Sequence, residues 1–326
     1  MSLGTTAISK GRSLLSLKDF SKGEILELLR VSRALKQIFN EDKTAMSAAL
    51  SGESVAMIFQ KRSTRTRVSS ETGMFKLGGH ALFLGSEDIQ LGHGENLLDT
   101  SKVLSRFNSS ILARVFEHQT IEQLAEHSTV PVINALSEKY HPLQILADLL
   151  TLQEHIGGDS GDLSGLKGAW GGDGNNILHS LMVALPKLGI DLSVATPTGY
   201  EPMEDVVDIC QLEAEKNNTK LVMTTDPVEA VQNCDVVVTD TWVSMGQEEE
   251  AARRLKDFEG YQVTHQMMNE ANNDWKFLHC LPRKPYEVND EVFYDGDRSL
   301  VWDEAENRMW TVMSVFMMQL RGTNFV

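Results

Sequence analysis

The chain has 326 residues, 41% of them hydrophobic, with 46 Asp+Glu against 30 Lys+Arg for a formal net charge of −16. That length predicts two domains, and the acidic balance argues against a nucleic-acid partner or an anionic membrane. Cys210, Cys234 and Cys280 are too scattered for a disulfide framework. No CxxC or HExxH spacing occurs, so a reducing compartment and no structural metal are expected.

No apolar run reaches the ~18 residues of a membrane span. Residues 1–20 lack a secretory h-region and are too short and too poor in arginine to read as a transit peptide. Phe20 to Phe39 has the pattern of an amphipathic helix with Ser21 as N-cap. Val55–Phe59 is a short continuous apolar run, expected to be a strand buried on both faces. A hydroxyl-rich basic turn follows, Gln60-Lys61-Arg62-Ser63-Thr64-Arg65-Thr66-Arg67. It leads into a helix whose apolar residues are Val68, Met74, Phe75 and Leu77.

Four cations at a helix N-terminus oppose the partial positive charge of that end, where acidic residues are favoured. A solvated basic helix start is one reading. A bound anion is the other: backbone N–H groups, hydroxyls and an arginine fork suit a phosphate.

The chain continues with a strand at Ala81–Leu84 and a polar loop at Ser86–Gly94. Further expectations are a helix at Leu97–Phe107, a strand at Ser110–Val115, a short helix at Ile121–His127 and a strand at Val130–Asn134. His141-Pro142 opens a helix over Leu143–His155, with proline suited to its first turn. His141 and Gln144 then share one face. A histidine there is either an N-cap or a neutral donor whose pKa the helix end lowers.

In the second half, strands are expected at Gly168–Gly171, Leu192–Thr196, Lys220–Met223, Val236–Thr239 and Lys276–Cys280. Helices are expected at Ile177–Leu188, Met203–Lys216, Val228–Gln232, Gln247–Leu255 and Asp303–Leu320. This alternation predicts an α/β fold of two doubly wound parallel-sheet domains joined by inter-domain helices. The expected division is 1–150 and 151–302, with helix 303–326 returning to the first domain.

Ligands of such sheets bind at the carboxyl ends of strands. The polar residues there include Arg65, Arg114, Gly172–Asn176, Asp240 and Cys280. Gly172-Asp173-Gly174-Asn175-Asn176 lacks the third glycine of a dinucleotide fingerprint, and the next strand ends in Thr196-Pro197 rather than a ribose-binding acid. A nicotinamide-dependent oxidoreductase is thereby disfavoured, and a non-catalytic phosphate-binding regulator is the other alternative. Cys280 is either a buried inert thiol or a functional one.

Ser63–Arg67 resembles the carbamoyl-phosphate loop of the aspartate/ornithine carbamoyltransferase family. The resemblance extends in order over Phe59–Arg67, Glu87–Gly92, Ala113-Arg114, His141–His155, Gly172–Ser180, Thr239–Gly246, His279–Arg283 and Glu304–Arg308. Asp240-x-x-x-Ser244-Met245-Gly246 with His279-Cys280-Leu281-Pro282 is similar to the ornithine branch rather than the aspartate branch.

The resemblance implies an enzyme that moves the carbamoyl group of carbamoyl phosphate to the δ-amine of L-ornithine, giving citrulline and phosphate, without metal or organic cofactor. It implies that Ser63, Thr64, Arg65, Thr66, Arg114, His141, Gln144, Cys280, Leu281 and Arg308 hold carbamoyl phosphate. Asn176, Asp240, Ser244 and Met245 would hold ornithine, and Arg65, His141 and Cys280 would act in catalysis. It further implies a homotrimer in which Gln90 serves a neighbouring subunit. The location would be the mitochondrial matrix in a eukaryote and the cytoplasm otherwise. The Gly157–Asp162 loop looks longer than the family's.

Overall fold

The computed structural model describes residues 6–87, 95–244 and 246–323. Contacts divide the chain into a first unit, residues 1–150 with 306–326, and a second unit, residues 151–305.

The first unit opens with α1 (Lys22–Glu41), β1 (Ser54–Phe59), α2 (Thr64–Lys76), β2 (His80–Gly85) and α3 (Leu97–Phe107). It continues with β3 (Ser110–Arg114), α4 (His118–His127), β4 (Val132–Leu136) and the start of α5 (Pro142–His155). Helix α1 is fixed by a capping box, in which Ser21 and Glu24 satisfy each other's backbone N–H groups. Val55, Ala56, Met57 and Ile58 are fully buried, as a strand covered on both faces requires. Each such Val or Ile side chain contributes about 1.5–3 kcal/mol of burial.

The strands are parallel in the order β2-β1-β3-β4. Successive connections run to opposite sides of β1, so the topological switch point lies between β1 and β3. A crevice for ligands is expected outside their carboxyl ends.

The second unit holds β5 (Lys167–Gly171), α6 (Asn176–Ala184), β6 (Asp191–Ala195), α7 (Glu204–Asn217), β7 (Leu221–Thr224), α8 (Pro227–Val231) and β8 (Val236–Thr239). After these come α9 (Ala251–Asp257), α10 (His265–Met268), β9 (Lys276–His279), α11 (Asp290–Phe293) and α12 (Val301–Arg321), whose residues from Glu306 belong to the first unit. This sheet is also parallel, ordered β7-β6-β5-β8-β9. Its switch point lies between β5 and β8.

The expected elements recur with local differences. Helix α6 stops at Ala184, and a 3-10 turn at Pro186–Leu188 replaces its expected end, because proline supplies no N–H to the ladder. Val68 and Phe75 do not join the core face of α2: they are 54% and 77% exposed while Met74 and Leu77 are fully buried. Residues seven apart lie on one stripe of a helix, and Val68 and Phe75 mark the outward stripe.

Candidate active site

In the first unit, the switch point brings the basic turn after β1 beside the end of β3. Ser63 is the N-cap of α2, and its Oγ accepts the Thr66 N–H at 3.2 Å. The hydroxyl proton of Ser63 remains available to an acceptor.

Thr66 is itself buried and meets Arg308, from α12. Arg308 is 3% exposed. Its Nη2 donates to Thr66 Oγ1 at 3.3 Å, and its Nη1 donates to Gln144 Oε1 at 2.6 Å. The same Nη1 lies 3.4 Å from His141 Nε2. Gln144 passes the chain on, its Nε2 donating to buried Asp148 at 2.8 Å.

His141 precedes Pro142, and its carbonyl accepts the N–H groups of Gln144 and Ile145, as an N-cap's carbonyl does. Both readings of this histidine therefore hold. Burial pushes the His141 imidazole well below its ordinary pKa, and Arg308, Arg114 and Arg65 push it further. A neutral ring beside three arginines is the outcome.

The four cations of the turn do not all converge on one place. Arg67 donates to Glu71 at 3.0 Å and covers the Phe83 ring at 3.7 Å. Lys61 is half-buried over Phe116, 4.7 Å from its centroid, and its ammonium is pushed below its ordinary pKa by burial and by Arg114. Arg114, the last residue of β3, is buried beside the end of β1, in register with Phe59.

In the second unit, the switch point joins the loops after β5 and β8. Asn175 is the N-cap of α6: its Oδ1 accepts the N–H groups of Ile177 and Leu178 at 2.9 and 3.3 Å. Those two contacts orient the amide, so its Nδ2 donates to Asp240 Oδ2 at 2.9 Å. The other oxygen of Asp240 accepts the Cys280 thiol at 2.9 Å. Asp240 and Cys280, from the ends of adjacent strands β8 and β9, thus meet directly.

Asn176 is the first residue of α6, and its carbonyl accepts Ser180 Oγ. Ser244 donates its N–H to Gln247 Oε1 at 3.0 Å. Leu281 follows Cys280 with φ 60°, in the left-handed region. Gly174 is required by close approach, since a Cβ there would overlap the backbone of Glu201. Gln90 and Met245 lie outside the described residues.

Further side chains shape these sites without a sequence signal. Arg254 donates to Asp173 at 2.9 Å and to the Trp242 carbonyl at 3.0 Å. Burial holds the Asp173 carboxyl above its ordinary pKa, against the pull of Arg254. Arg254 sits in the pair Arg253-Arg254, which alone reads as a solvated helix face. Glu287, fully buried in the loop after β9, lies in no periodic pattern.

Asp240, His279 and Cys280 each bring one ligand-type atom within 4.8 Å of the others. Both His279 nitrogens already have partners, however: Nδ1 accepts the Leu281 N–H at 2.9 Å and Nε2 lies 3.2 Å from Glu287. The trio is wired as a hydrogen-bond network rather than as a cation cage.

Two family models match this chain. Residues 12–154 match the carbamoyl-P binding domain of aspartate/ornithine carbamoyltransferase, and residues 164–319 match its Asp/Orn binding domain. The mitochondrial ornithine transcarbamylase of Gallus gallus is 54% identical over 308 residues, 94% of this chain and 85% of the relative. The mitochondrial ornithine carbamoyltransferase of Schizosaccharomyces pombe is 50% identical over 93% of each. Among solved structures, the ornithine carbamoyltransferase of Pyrococcus furiosus superposes with a TM-score of 0.91 at 45% identity, covering 97% of this chain and 99% of its own. By these matches over both units, the chain belongs to the aspartate/ornithine carbamoyltransferase family.

Proposed function

We propose that the chain is an ornithine carbamoyltransferase, transferring the carbamoyl group of carbamoyl phosphate to the δ-amine of L-ornithine to give L-citrulline and phosphate. The observation that carries this reading is the buried cluster of Thr66, His141, Gln144 and Arg308 at the first switch point. It combines a cationic fork with a neutral imidazole, a match for a phosphate joined to a carbonyl.

In the proposed reaction the neutral amine attacks the carbamoyl carbon. A C–N bond forms, and negative charge gathers on the carbonyl oxygen, where Arg65, Thr66 and His141 oppose it. The C–O bond to phosphate then breaks, and phosphate leaves with the bond's electrons and takes the amine's proton. Ser63, Thr64 and Arg114 hold the phosphate, and Gln144 the carbamoyl amine. Arg308 and Cys280-Leu281 complete that site. Asp240 and Ser244 take the α-amine of ornithine, with Met245 lining the pocket, and Asn176 takes the carboxylate.

A homotrimer follows by the same resemblance, with Gln90 serving the neighbouring subunit. Exposed Phe75 and Phe107, 77% and 76% accessible on α2 and α3, suit a surface that a second copy covers. An active monomer in light scattering would rule this out. No described helix is long and apolar enough to cross a membrane. The mitochondrial names of the relatives support the matrix as the location if the source is a eukaryote.

The deciding experiment is citrulline formation from carbamoyl phosphate with a panel of ornithine, lysine, aspartate and putrescine. Putrescine lacks both α-groups and should lose several kcal/mol, because buried polar groups stay unpaired. Comparable kcat/KM for ornithine and putrescine would refute the α-group assignment.

A further inference from the structure

Asp240 and Cys280 sit on separate strands, and their sequence neighbours are also tied together. The tie is Glu287, fully buried. Its Oε1 accepts the Trp242 N–H at 3.4 Å. Its Oε2 accepts the Lys284 N–H at 2.7 Å and lies 3.2 Å from His279 Nε2.

The His279 tautomer follows from its partners. Nδ1 accepts the Leu281 N–H at 2.9 Å, so it carries no proton, and the ring proton is on Nε2, facing Glu287. The His279 backbone N–H is held in turn by Glu304 at 2.9 Å.

These contacts close a ring. From Asp240 the backbone runs to Trp242, whose N–H ends on Glu287. Glu287 accepts from His279, the next residue is Cys280, and the Cys280 thiol returns to Asp240 at 2.9 Å. A branch from His279 holds the amide of Leu281, which would otherwise lose a left-handed conformation that costs about 1–3 kcal/mol.

We propose that Glu287 is a positioning residue that acts through His279 and Trp242 to pin the Cys280 thiol against the Asp240 carboxylate and to orient Leu281. The proposal rests on the ornithine-binding reading of Asp240 and Cys280. Glu287 touches no substrate in it. Carboxylates that accept several donors in a dry site hold their partners to a narrow geometry.

The test uses the full chain. Glu287→Gln replaces one acceptor oxygen by an N–H₂ group and so sets donor against donor at Lys284, Trp242 or His279. It should lower kcat/KM for ornithine at least tenfold while the KM for carbamoyl phosphate moves less than twofold. Combined with Cys280→Ser, the loss should be smaller than the product of the single losses, because both changes break one ring. Equal effects on the two substrates, no effect, or multiplicative losses would overturn the proposal.

Should Glu287→Gln fail to fold, His279→Gln takes the same measurements. Its amide nitrogen reaches the Nε2 position and keeps Glu287 satisfied, while the acceptor for Leu281 is lost.

A second readout does not depend on citrulline. Alkylation of Cys280 by iodoacetamide at pH 8 should speed up at least fivefold in the folded variant, since a thiol released from a carboxylate loses its proton more readily. Cys210 and Cys234 provide the blank: both are buried and their thiols are pushed up to about 12. An unchanged rate overturns the proposal. A wild-type chain that makes no citrulline would instead overturn the functional reading, and alkylation would still decide the ring.

Discussion

Arg308→Met tests the first site most directly. The thioether chain fills much of the volume of the buried guanidinium, so packing largely survives. Two contacts disappear, the 2.6 Å bond to Gln144 and the 3.3 Å bond to Thr66. Charged donors contribute about 1.5–3 kcal/mol each, but removing a buried cation also removes its desolvation cost. A net stability loss of about 1–3 kcal/mol is expected.

The kinetic loss should be larger in its consequences. A donor aimed at developing charge is worth about 2.7–4 kcal/mol, so kcat/KM for carbamoyl phosphate should fall about 10²–10³-fold. A qualitative change should accompany it. Arg308 is the largest cause after burial of the depressed His141 pKa. Without it that pKa climbs toward its ordinary value near 6.5, and an acid limb should enter the pH profile between about pH 6 and 7. The assay is kcat/KM at saturating ornithine from pH 6 to 9, with Tm measured alongside. A folded variant that keeps more than a fifth of the wild-type kcat/KM, or whose pH profile superimposes on wild type, would refute the reasoning.

Arg65→Ala should cost at least ~3 kcal/mol in transition-state stabilisation; a loss below tenfold in kcat/KM would remove Arg65 from the chemistry. Ornithine's δ-ammonium resembles lysine, with pKa about 10.4, so kcat/KM for ornithine should rise steeply from pH 6.5 to about 8.5, and a flat profile would contradict attack by the neutral amine. His141 also affects stability. Its folded pKa is depressed, so between that value and about 6.5 the unfolded chain binds the extra proton. Stability should therefore fall as pH drops below about 6.5, and His141→Asn should flatten that slope in urea titrations at pH 5.5 and 7.5.

The parallel sheets were legible because their strands are continuous apolar runs. Val55–Phe59 could only be buried on both faces, and it is at most 4% exposed. What stayed hidden depended on strand order or on length. Helices of four residues, His265–Met268 and Asp290–Phe293, are too short to show a 3.6-residue period. The pairing of Asn175 with Asp240 spans 65 residues. It follows from β5 lying beside β8, which no local pattern announces. An amide at the start of α6 was expected to face a substrate carboxylate, yet that of Asn175 faces the protein's own Asp240. Likewise the basic turn read as four equivalent cations, but Arg67 is matched by Glu71 one helical turn later. Local spacing alone would have allowed that pairing.

Net charge and site charge are separate quantities in this chain. An overall −16 acts at long range and is screened over about 8 Å at physiological salt. The first site is decided within a few ångströms, where Arg65, Arg114 and Arg308 surround an imidazole that burial keeps neutral. A protonated histidine there would add a fourth charge to the cluster and lose its role as an uncharged partner for a carbonyl. The second site inverts the sign, setting the Asp240 carboxylate against a thiol and an amide. One surface fits an anion and the other an ammonium, which is the division that a phosphate donor and an amino-acid acceptor require.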